Sequence, residues 1–485
     1  MFGSMIKRLV IIFITLMLLL SPCVHIKANA VGIDGFTFSL DEQINKLMKI
    51  YKIPGLSIAL IEKGEVVWIN AYGYADLEYK RKMTTDTVCR VQSISKSVTA
   101  WGVLRLAEKG LIDLDNPINQ YISSWDMPIS DDSFDEITVR QLLTHTSGLV
   151  LGDVMDQYPT NVPIPSLRDN LTKEVRLFQE PGRSFSYSNV GYNLLELMIE
   201  DVTGLPFEEF MSEEVLVPLN METATFIWSE KIKPEAPVGY NTKGKPVPVY
   251  VYPEKASGGL FASVEDIAKF VVAGMSDNPV LSSESILRMY HPAVSIEGVY
   301  RYVSRWYGLG HFIDDSSKDL KAIWHGGQGN GLMTHFHAIP ETGDGIVILT
   351  NSQRSWPLIS YILKDWTEWN GYDSVGMSNI IYAIMGLQFI IGLIFLIVLW
   401  QLFRLISGVS TGRRKFRVLN RGFCLLRILQ FSVFILLTAI LCWIATRDYL
   451  FLTSVFPMRS IWLGAATLSV AIVSLLTAFL PEEVN

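Results

Sequence analysis

The sequence predicts an α+β body in which a sheet assembled from both ends encloses a helical insertion, followed by three membrane-spanning helices. Three observations carry this. Strand-like runs stand near the start and return after about residue 299. The stretch from about 93 to 275 is mostly helical by pattern. The last part of the chain holds three long apolar segments.

The first segment has the three parts of a secretory signal. Lys7 and Arg8 precede an apolar run from Leu9 to Leu20, interrupted by Thr15, and Ala28-Asn29-Ala30 offers small residues for cleavage after Ala30. The run is short for a span. Cys23 follows Pro22 rather than a small residue, which argues against lipidation. The exported body is expected over residues 31–370 and a membrane domain over 371–485.

Within the body, 55–61 and 65–71 are apolar runs around Glu62-Lys63-Gly64 and read as a hairpin. Proline-rich loops near 159–165 and 246–253 break the helical stretch. Strand-like runs follow at 299–313, 321–325, 332–339 and 345–351, and Trp356 to Trp369 reads as an amphipathic helix. Spans are expected at about 380–403, 428–445 and 461–480.

Charge follows this division. Residues 371–485 hold nine Lys/Arg against four Asp/Glu, whereas the other residues hold 32 against 44. An acidic body with a basic apolar tail argues against nucleic-acid binding and implicates a lipid bilayer as partner. Arg404, Arg413, Arg414, Lys415, Arg417 and Arg421 fall in the first loop between spans. The positive-inside bias makes that loop cytoplasmic and the body extracytoplasmic, as in a multi-pass protein of the cell membrane. Of four cysteines, Cys23 leaves with the signal, Cys424 and Cys442 lie in the apolar tail, and Cys89 alone remains in the body, where it reads as a small buried residue.

Three short patterns point to chemistry. In Ser93-Ile94-Ser95-Lys96 the serine and lysine lie one helical turn apart, at the start of a helical pattern that ends at Gly110. A partly desolvated lysine amine can take the serine proton, and the helix N-terminus favours developing negative charge. In Tyr187-Ser188-Asn189 a turn presents a phenol. Beside a lysine ammonium its pKa would fall, and it could shuttle a proton; Asn189 could meet a substrate carbonyl. In His325-Gly326-Gly327-Gln328, at the end of a short strand pattern, the histidine could orient a substrate group. The Gln328 and Ser93 N–H groups could form an oxyanion hole. His335 and His337 alternate on one strand face, but no HExxH or CxxC spacing accompanies them, so a metal site is the weaker reading.

Taken together, Ser93-x-x-Lys96, Tyr187-x-Asn189 and His325-x-Gly327 resemble the three motifs of the penicillin-recognising serine hydrolases: class C β-lactamases, D,D-peptidases, D-aminopeptidases and related esterases. Leu142-Leu143-Thr144-His145-Thr146-Ser147-Gly148-Leu149 and Ser257-Gly258-Gly259-Leu260-Phe261-Ala262-Ser263 also look like that family, over about residues 40–370. The resemblance implies an antiparallel sheet flanked by helices, plus an all-helical lobe, with the site in the cleft between them. It implies Ser93 as acylated nucleophile, Lys96 and Tyr187 as general base, and Asn189, His325, Gly327 and Gln328 as substrate-binding residues. No cofactor or metal is implied. His145 gains no chemical role and reads as structural. His325 stands where class C β-lactamases have lysine, which argues against efficient β-lactam hydrolysis.

The body-plus-three-spans arrangement is similar to that of membrane-bound peptidases that remove an acyl-D-asparagine cap from exported precursors. This implies a small peptide or acyl-peptide substrate and makes an export system a candidate partner. Arg90 departs from the acidic residue those peptidases carry three before the serine. The alternatives are a penicillin-binding protein or β-lactam-binding pseudo-enzyme with little turnover, or a β-lactamase or esterase.

Overall fold

The computed structural model describes residues 32–126, 134, 136–153, 157–230, 232, 235–317, 320–418, 425–447 and 451–482. The expected signal segment, Cys23, Arg421 and Cys424 lie outside them. The chain divides into two compact units, meeting at Asn379 and Ile380.

The first described helix, α1 (Ile33–Tyr51), buries Phe36, Leu40, Ile44, Leu47 and Tyr51, a three-to-four spacing that makes one apolar stripe. It leads into the hairpin β1 (Gly55–Glu62) and β2 (Glu65–Asp76), which continues to β3 (Arg81–Lys82). The remaining sheet strands come from the other end of the unit: β4 (Val294–Ser295), β5 (Trp306–Tyr307), β6 (Phe312–Ser317), β7 (Leu320–Gly329), β8 (Leu332–Ile339) and β9 (Asp344–Thr350). The nine strands form one sheet in the order β4-β5-β6-β7-β8-β9-β1-β2-β3. β1 meets β9 antiparallel, from Leu56 opposite Thr350 to Ile61 opposite Gly345. The sheet closes through a pairing of opposite chain ends, as the two sets of strand-like runs imply.

Between β3 and β4 stand the helices. α2 (Ile94–Glu108) is buried along most of its length. Around it lie α3 (Val139–Leu143), α4 (Leu167–Glu174), α5 (Asn189–Thr203), α6 (Phe207–Met211), α7 (Val264–Ala273) and α8 (Ser283–Met289). α9 (Trp356–Asn370) closes the unit. Pleat alternation assigns the layers. On β8, Phe336 meets Phe270 of α7, while His337 meets Trp366 of α9. α9 also packs on α1, where Phe36 stacks on Trp369 at 4.2 Å, worth about 1 kcal/mol beyond its area. The helical lobe and α2 thus cover one face, and α1 with α9 the other.

One expectation is corrected. The run 299–313 is not one strand: Gly298–Tyr302 forms a 3₁₀ turn, and the strands are β5 and the start of β6. Glycines at 308 and 310 break the run between them. The proline-rich loops break the helical stretch and carry short pairings, Tyr158–Pro159 with Tyr250–Val251 and Gly239–Tyr240 with Pro246–Val247.

The second unit holds α10 (Asn379–Ser410), α11 (Leu425–Thr446), α12 (Phe451–Val455) and α13 (Pro457–Phe479). Three of its helices are long and apolar enough to cross a membrane. α10 and α13 share a small apolar cluster around Val398, Leu405 and Val473. Two arginines of this unit pair with other helices: Arg427 Nε donates to the Ala478 carbonyl at 2.8 Å, and Arg459 to Gln388 Oε1 at 2.8 Å.

Candidate active site

Ser93 stands at the N-cap of α2, and its hydroxyl makes no capping bond. Gln92 before it takes a left-handed φ of 54°, an unfavourable conformation for a side-chain-bearing residue that surrounding contacts must hold. Lys96, one turn on, is fully buried. Its Nζ lies 3.3 Å from Ser93 Oγ, 2.7 Å from Asn189 Oδ1 and 2.6 Å from the Ser257 carbonyl oxygen. Burial drives the Lys96 pKa well below its ordinary value. A neutral amine has two N–H bonds and one lone pair. The two shortest contacts are to oxygens that only accept, so the N–H bonds go there and the lone pair faces the serine hydroxyl.

The Tyr187-Ser188-Asn189 turn is fixed by capping. Ser188 is the N-cap of α5: its Oγ accepts from Gly191 N–H at 3.0 Å and donates to the Val150 carbonyl at 2.7 Å. The stretch around His145 braces the same turn. His145 Nδ1 accepts from Ser188 N–H at 3.1 Å and the His145 carbonyl from Ser186 N–H at 2.7 Å. Its ring lies 4.2 Å from that of Tyr187. An accepting Nδ1 requires the neutral imidazole, in keeping with a pKa held well down by burial and then by Lys96 and His325. His145 is therefore the backing of Tyr187.

Tyr187 stands beside Ser93, and its ring centre lies 5.0 Å from Lys96 Nζ. The lowered phenol pKa expected beside a lysine ammonium is not what the surroundings produce. Burial, followed by the neighbouring Tyr300, raises it well above its ordinary value. In a desolvated site a neutral amine and a neutral phenol are favoured over an ammonium–phenolate pair that is held apart.

His325 and Gly327 lie in β7, which runs on through the glycines to Gly329 instead of ending at Trp324. β6 pairs with β7 only as far as Trp324, leaving 325–329 with β8 on one side. The other edge passes the residues before Ser93: a Cβ on Gly327 would stand 2.2 Å from the Val91 carbonyl oxygen. His325 is buried in the cleft wall. Its Nδ1 meets the Gly326 carbonyl at 2.9 Å and its Nε2 the Tyr307 hydroxyl at 3.3 Å. Burial and then Lys96 push its pKa well down, so this position carries no cation. The Gln328 side chain turns to the opposite face of the sheet, where Oε1 accepts from Trp356 Nε1 at 2.8 Å. Its backbone stays in the β7 edge.

The other candidates are structural. Arg90 is buried among Tyr250, Tyr252 and Phe261 and donates to the Tyr250 carbonyl. Cys89 is buried, its thiol pushed up to about 12 by burial. His335 and His337 are buried beside Trp324, 3.5 Å apart. Among the described residues no group of three His, Cys, Asp or Glu is placed to hold a metal.

Sequence reasoning missed two supports. Glu196 on α5 accepts from Lys255 N–H at 2.6 Å and Ala256 N–H at 2.8 Å, which sets the Ser257 carbonyl on Lys96. Its position one helical face along from Asn189 is the available signal. Tyr300 and Tyr307 complete the aromatic wall around Tyr187 and His325; they come from a stretch whose breaks the pattern did not reveal.

The sequence matches the Beta-lactamase family over residues 40–359. It is 26% identical over 311 residues to Protein flp of Staphylococcus aureus strain MW2, covering 62% of this chain and 60% of that one. The chain therefore spans about 60% of the length of that relative. The penicillin-binding protein homologue from Pyrococcus abyssi, an octamer, superposes with a TM-score of 0.55 at 28% identity over 66% of this chain and 74% of that one. The Beta-Lactamase/D-Alanine Carboxypeptidase from Pseudomonas syringae shares the fold, with a TM-score of 0.55 at 21% identity over 65% and 94%. With its antiparallel sheet, helical lobe and serine–lysine pair at the head of α2, the chain belongs to the beta-lactamase and penicillin-binding-protein family of serine hydrolases.

Proposed function

We propose that this protein is a membrane-anchored serine hydrolase that forms an acyl-enzyme on Ser93, outside the cytoplasmic membrane. Its substrates are amides or esters, and the class favoured is peptides containing D-amino acids, either cell-wall peptide or an acyl-D-amino-acid precursor. The observation that carries the reading is the environment of Lys96: a fully buried amine, its pKa driven well down by burial, with Nζ 2.7 Å from Asn189 Oδ1, 2.6 Å from the Ser257 carbonyl oxygen and 3.3 Å from Ser93 Oγ.

The chemistry follows from that geometry. Ser93 Oγ bonds to the substrate carbonyl carbon as its proton passes to Lys96 Nζ. The carbonyl oxygen takes the negative charge at the N-terminus of α2, beside the β7 edge at Gln328. The Tyr187 phenol, beside Ser93, hands a proton to the leaving nitrogen or oxygen and is reprotonated from Lys96. The carbon–leaving-group bond breaks, leaving an ester on Ser93. Water then repeats the sequence, releasing the acid and free Ser93. A neutral His325 offers no ammonium to a β-lactam carboxylate, which favours peptidase or esterase activity over β-lactam hydrolysis. The D-amino-acid class is supported by the names of the two structural relatives, one a penicillin-binding protein homologue and one a D-alanine carboxypeptidase.

The test is a substrate screen of the purified full-length protein and Ser93→Ala. It compares a chromogenic β-lactam, D-aminoacyl amides, N-acyl-D-asparaginyl amides and short esters. Turnover of a D-amino-acid substrate by wild type, and none by the variant, is expected. Activity surviving in Ser93→Ala overturns the nucleophile, and a Ser93 adduct stable for hours assigns a binding protein instead.

A further inference from the structure

The 3₁₀ turn Gly298–Tyr302 and β5 carry an unusual surface. Val299 is 64% exposed, Tyr302 74% and Trp306 37%, with the exposed Arg301 and Arg305 between them. Exposed Tyr and Trp interleaved with Arg is the composition of a segment lying in the headgroup layer of a membrane. In water the exposed parts of these side chains leave apolar surface uncovered.

The position of the segment gives the composition meaning. The Tyr302 carbonyl accepts from Asn379 Nδ2 at 2.7 Å. Gly376 lies against the Val303 backbone so closely that a Cβ there would stand 2.1 Å from the Val303 carbonyl oxygen. Asn379 is the first residue of α10, and the apolar run begins with Ile380. A helix rises about 1.5 Å per residue, so a bilayer crossed by α10 begins within a few ångströms of the residue to which Tyr302 is bonded. The other side of the same turn reaches the cleft, where Tyr300 stacks on Tyr187 at 5.5 Å with the rings 22° apart. One short segment therefore joins the reactive site to the place where the chain meets lipid.

We propose that residues 298–306 form a membrane-interface element, with Val299 and Tyr302 seated in the headgroup layer, which presents the Ser93 cleft to amphiphilic acyl substrates held in the same leaflet. The substrate half of this inference rests on the Ser93 hydrolase reading above; the interfacial half does not. The occupant of the exposed patch is phospholipid, and the substrate class is one with a long acyl chain anchored in the bilayer and its scissile amide or ester near the headgroups.

The two halves are tested separately on the full chain in phospholipid nanodiscs. Cys23, Cys424 and Cys442 are replaced by serine, the buried Cys89 is retained, and a nitroxide is attached at Tyr302→Cys or, as control, at Tyr79→Cys. Tyr79 is 79% exposed on the turn before β3. At 302 the nitroxide should collide more with oxygen, which partitions into lipid, than with a water-soluble nickel chelate; at 79 the order should reverse. Equal nickel access at both positions overturns the interfacial element. So does shielding of 302 from both agents, which marks a protein contact. The second measurement compares a short-chain and a long-chain acyl version of one D-aminoacyl amide on wild type and Val299→Ser/Tyr302→Ser. Loss of about tenfold in kcat/KM on the long-chain substrate alone is expected from the lost apolar contact. An unchanged long-chain preference overturns the substrate half. Turnover of neither substrate by wild type removes the hydrolase reading while the nitroxide result still stands.

Discussion

Gly326 and Gly327 are neighbours in β7, and their replacement by alanine should affect the acylation rate very differently. A Cβ on Gly327 points to the α2 face, where it would stand 2.2 Å from both the Val91 carbonyl oxygen and Thr334 Oγ1. Ordinary contact begins near 3.4 Å, so β7 and the segment carrying Ser93 must part by about 1 Å. The Val91 carbonyl also accepts from Thr334 Oγ1 at 2.7 Å, which leaves little slack. A misplacement of about 1 Å between reacting groups costs on the order of 100-fold in rate, and overpacking costs about 1–3 kcal/mol in stability. A Cβ on Gly326 points to the other face and meets the rim of Trp356 at 2.8 Å, a side chain that can shift. Gly326→Ala should therefore lose stability of the same order but little rate. The assay is the second-order rate of Ser93 acylation by a fluorophosphonate or an activated ester, measured with thermal unfolding on the same samples. Acylation by Gly327→Ala within threefold of wild type, with the protein folded, would refute the claim that this strand edge sets the Ser93 position.

Four further predictions concern Lys96, Glu196 and Tyr187. The acylation rate should fall as pH drops through the lowered pKa of Lys96, because the ammonium cannot accept the serine proton; a rate that climbs as pH falls counts against the neutral amine. The linkage has a definite sign. Above that lowered pKa, and up to the unfolded value of about 10.4, only the unfolded state binds the proton, so wild type should gain stability relative to Lys96→Met as pH rises, by at most about 1.4 kcal/mol per pH unit. Glu196, pushed up to about 8 by burial, should be more important for position than for charge. Glu196→Ala leaves two buried N–H groups without an acceptor, at about 1–3 kcal/mol each, and should slow acylation by releasing the Ser257 carbonyl, whereas Glu196→Gln should keep most of both, as denaturant titration and acylation kinetics can show. Tyr187→Phe removes only the hydroxyl and leaves the ring on His145, so about 10²-fold or more should be lost in turnover with the melting temperature nearly unchanged.

Much of the site was legible because its local parts are short-range. A serine and a lysine three apart on a helix share a face in any fold, and a serine at the head of α5 caps it whatever surrounds it. The apolar segments were legible for the same reason, since twenty apolar residues in series need no partner to be recognised; the first helix runs on past the expected end to Ser410, and the last begins earlier, at Pro457, and ends at Phe479. The break-up of 299–313 was not legible. Its apolar residues serve three different surfaces: the sheet through Tyr307, the cleft wall through Tyr300, and the exterior through Tyr302. No single period describes them.

The sequence by itself determined which residues are candidates for the reactive groups, the family and the division into a body and an apolar tail, because these depend on residue type, order and hydropathy. The tertiary structure alone decided their protonation. Whether Lys96 is an ammonium or an amine depends on how completely α5, the 254–259 loop and the aromatic wall exclude water from it, and that exclusion comes from residues up to two hundred positions away. The same burial reverses the expectation for Tyr187 and leaves His325 neutral. Desolvation is a property of the packed interior, and no motif encodes it.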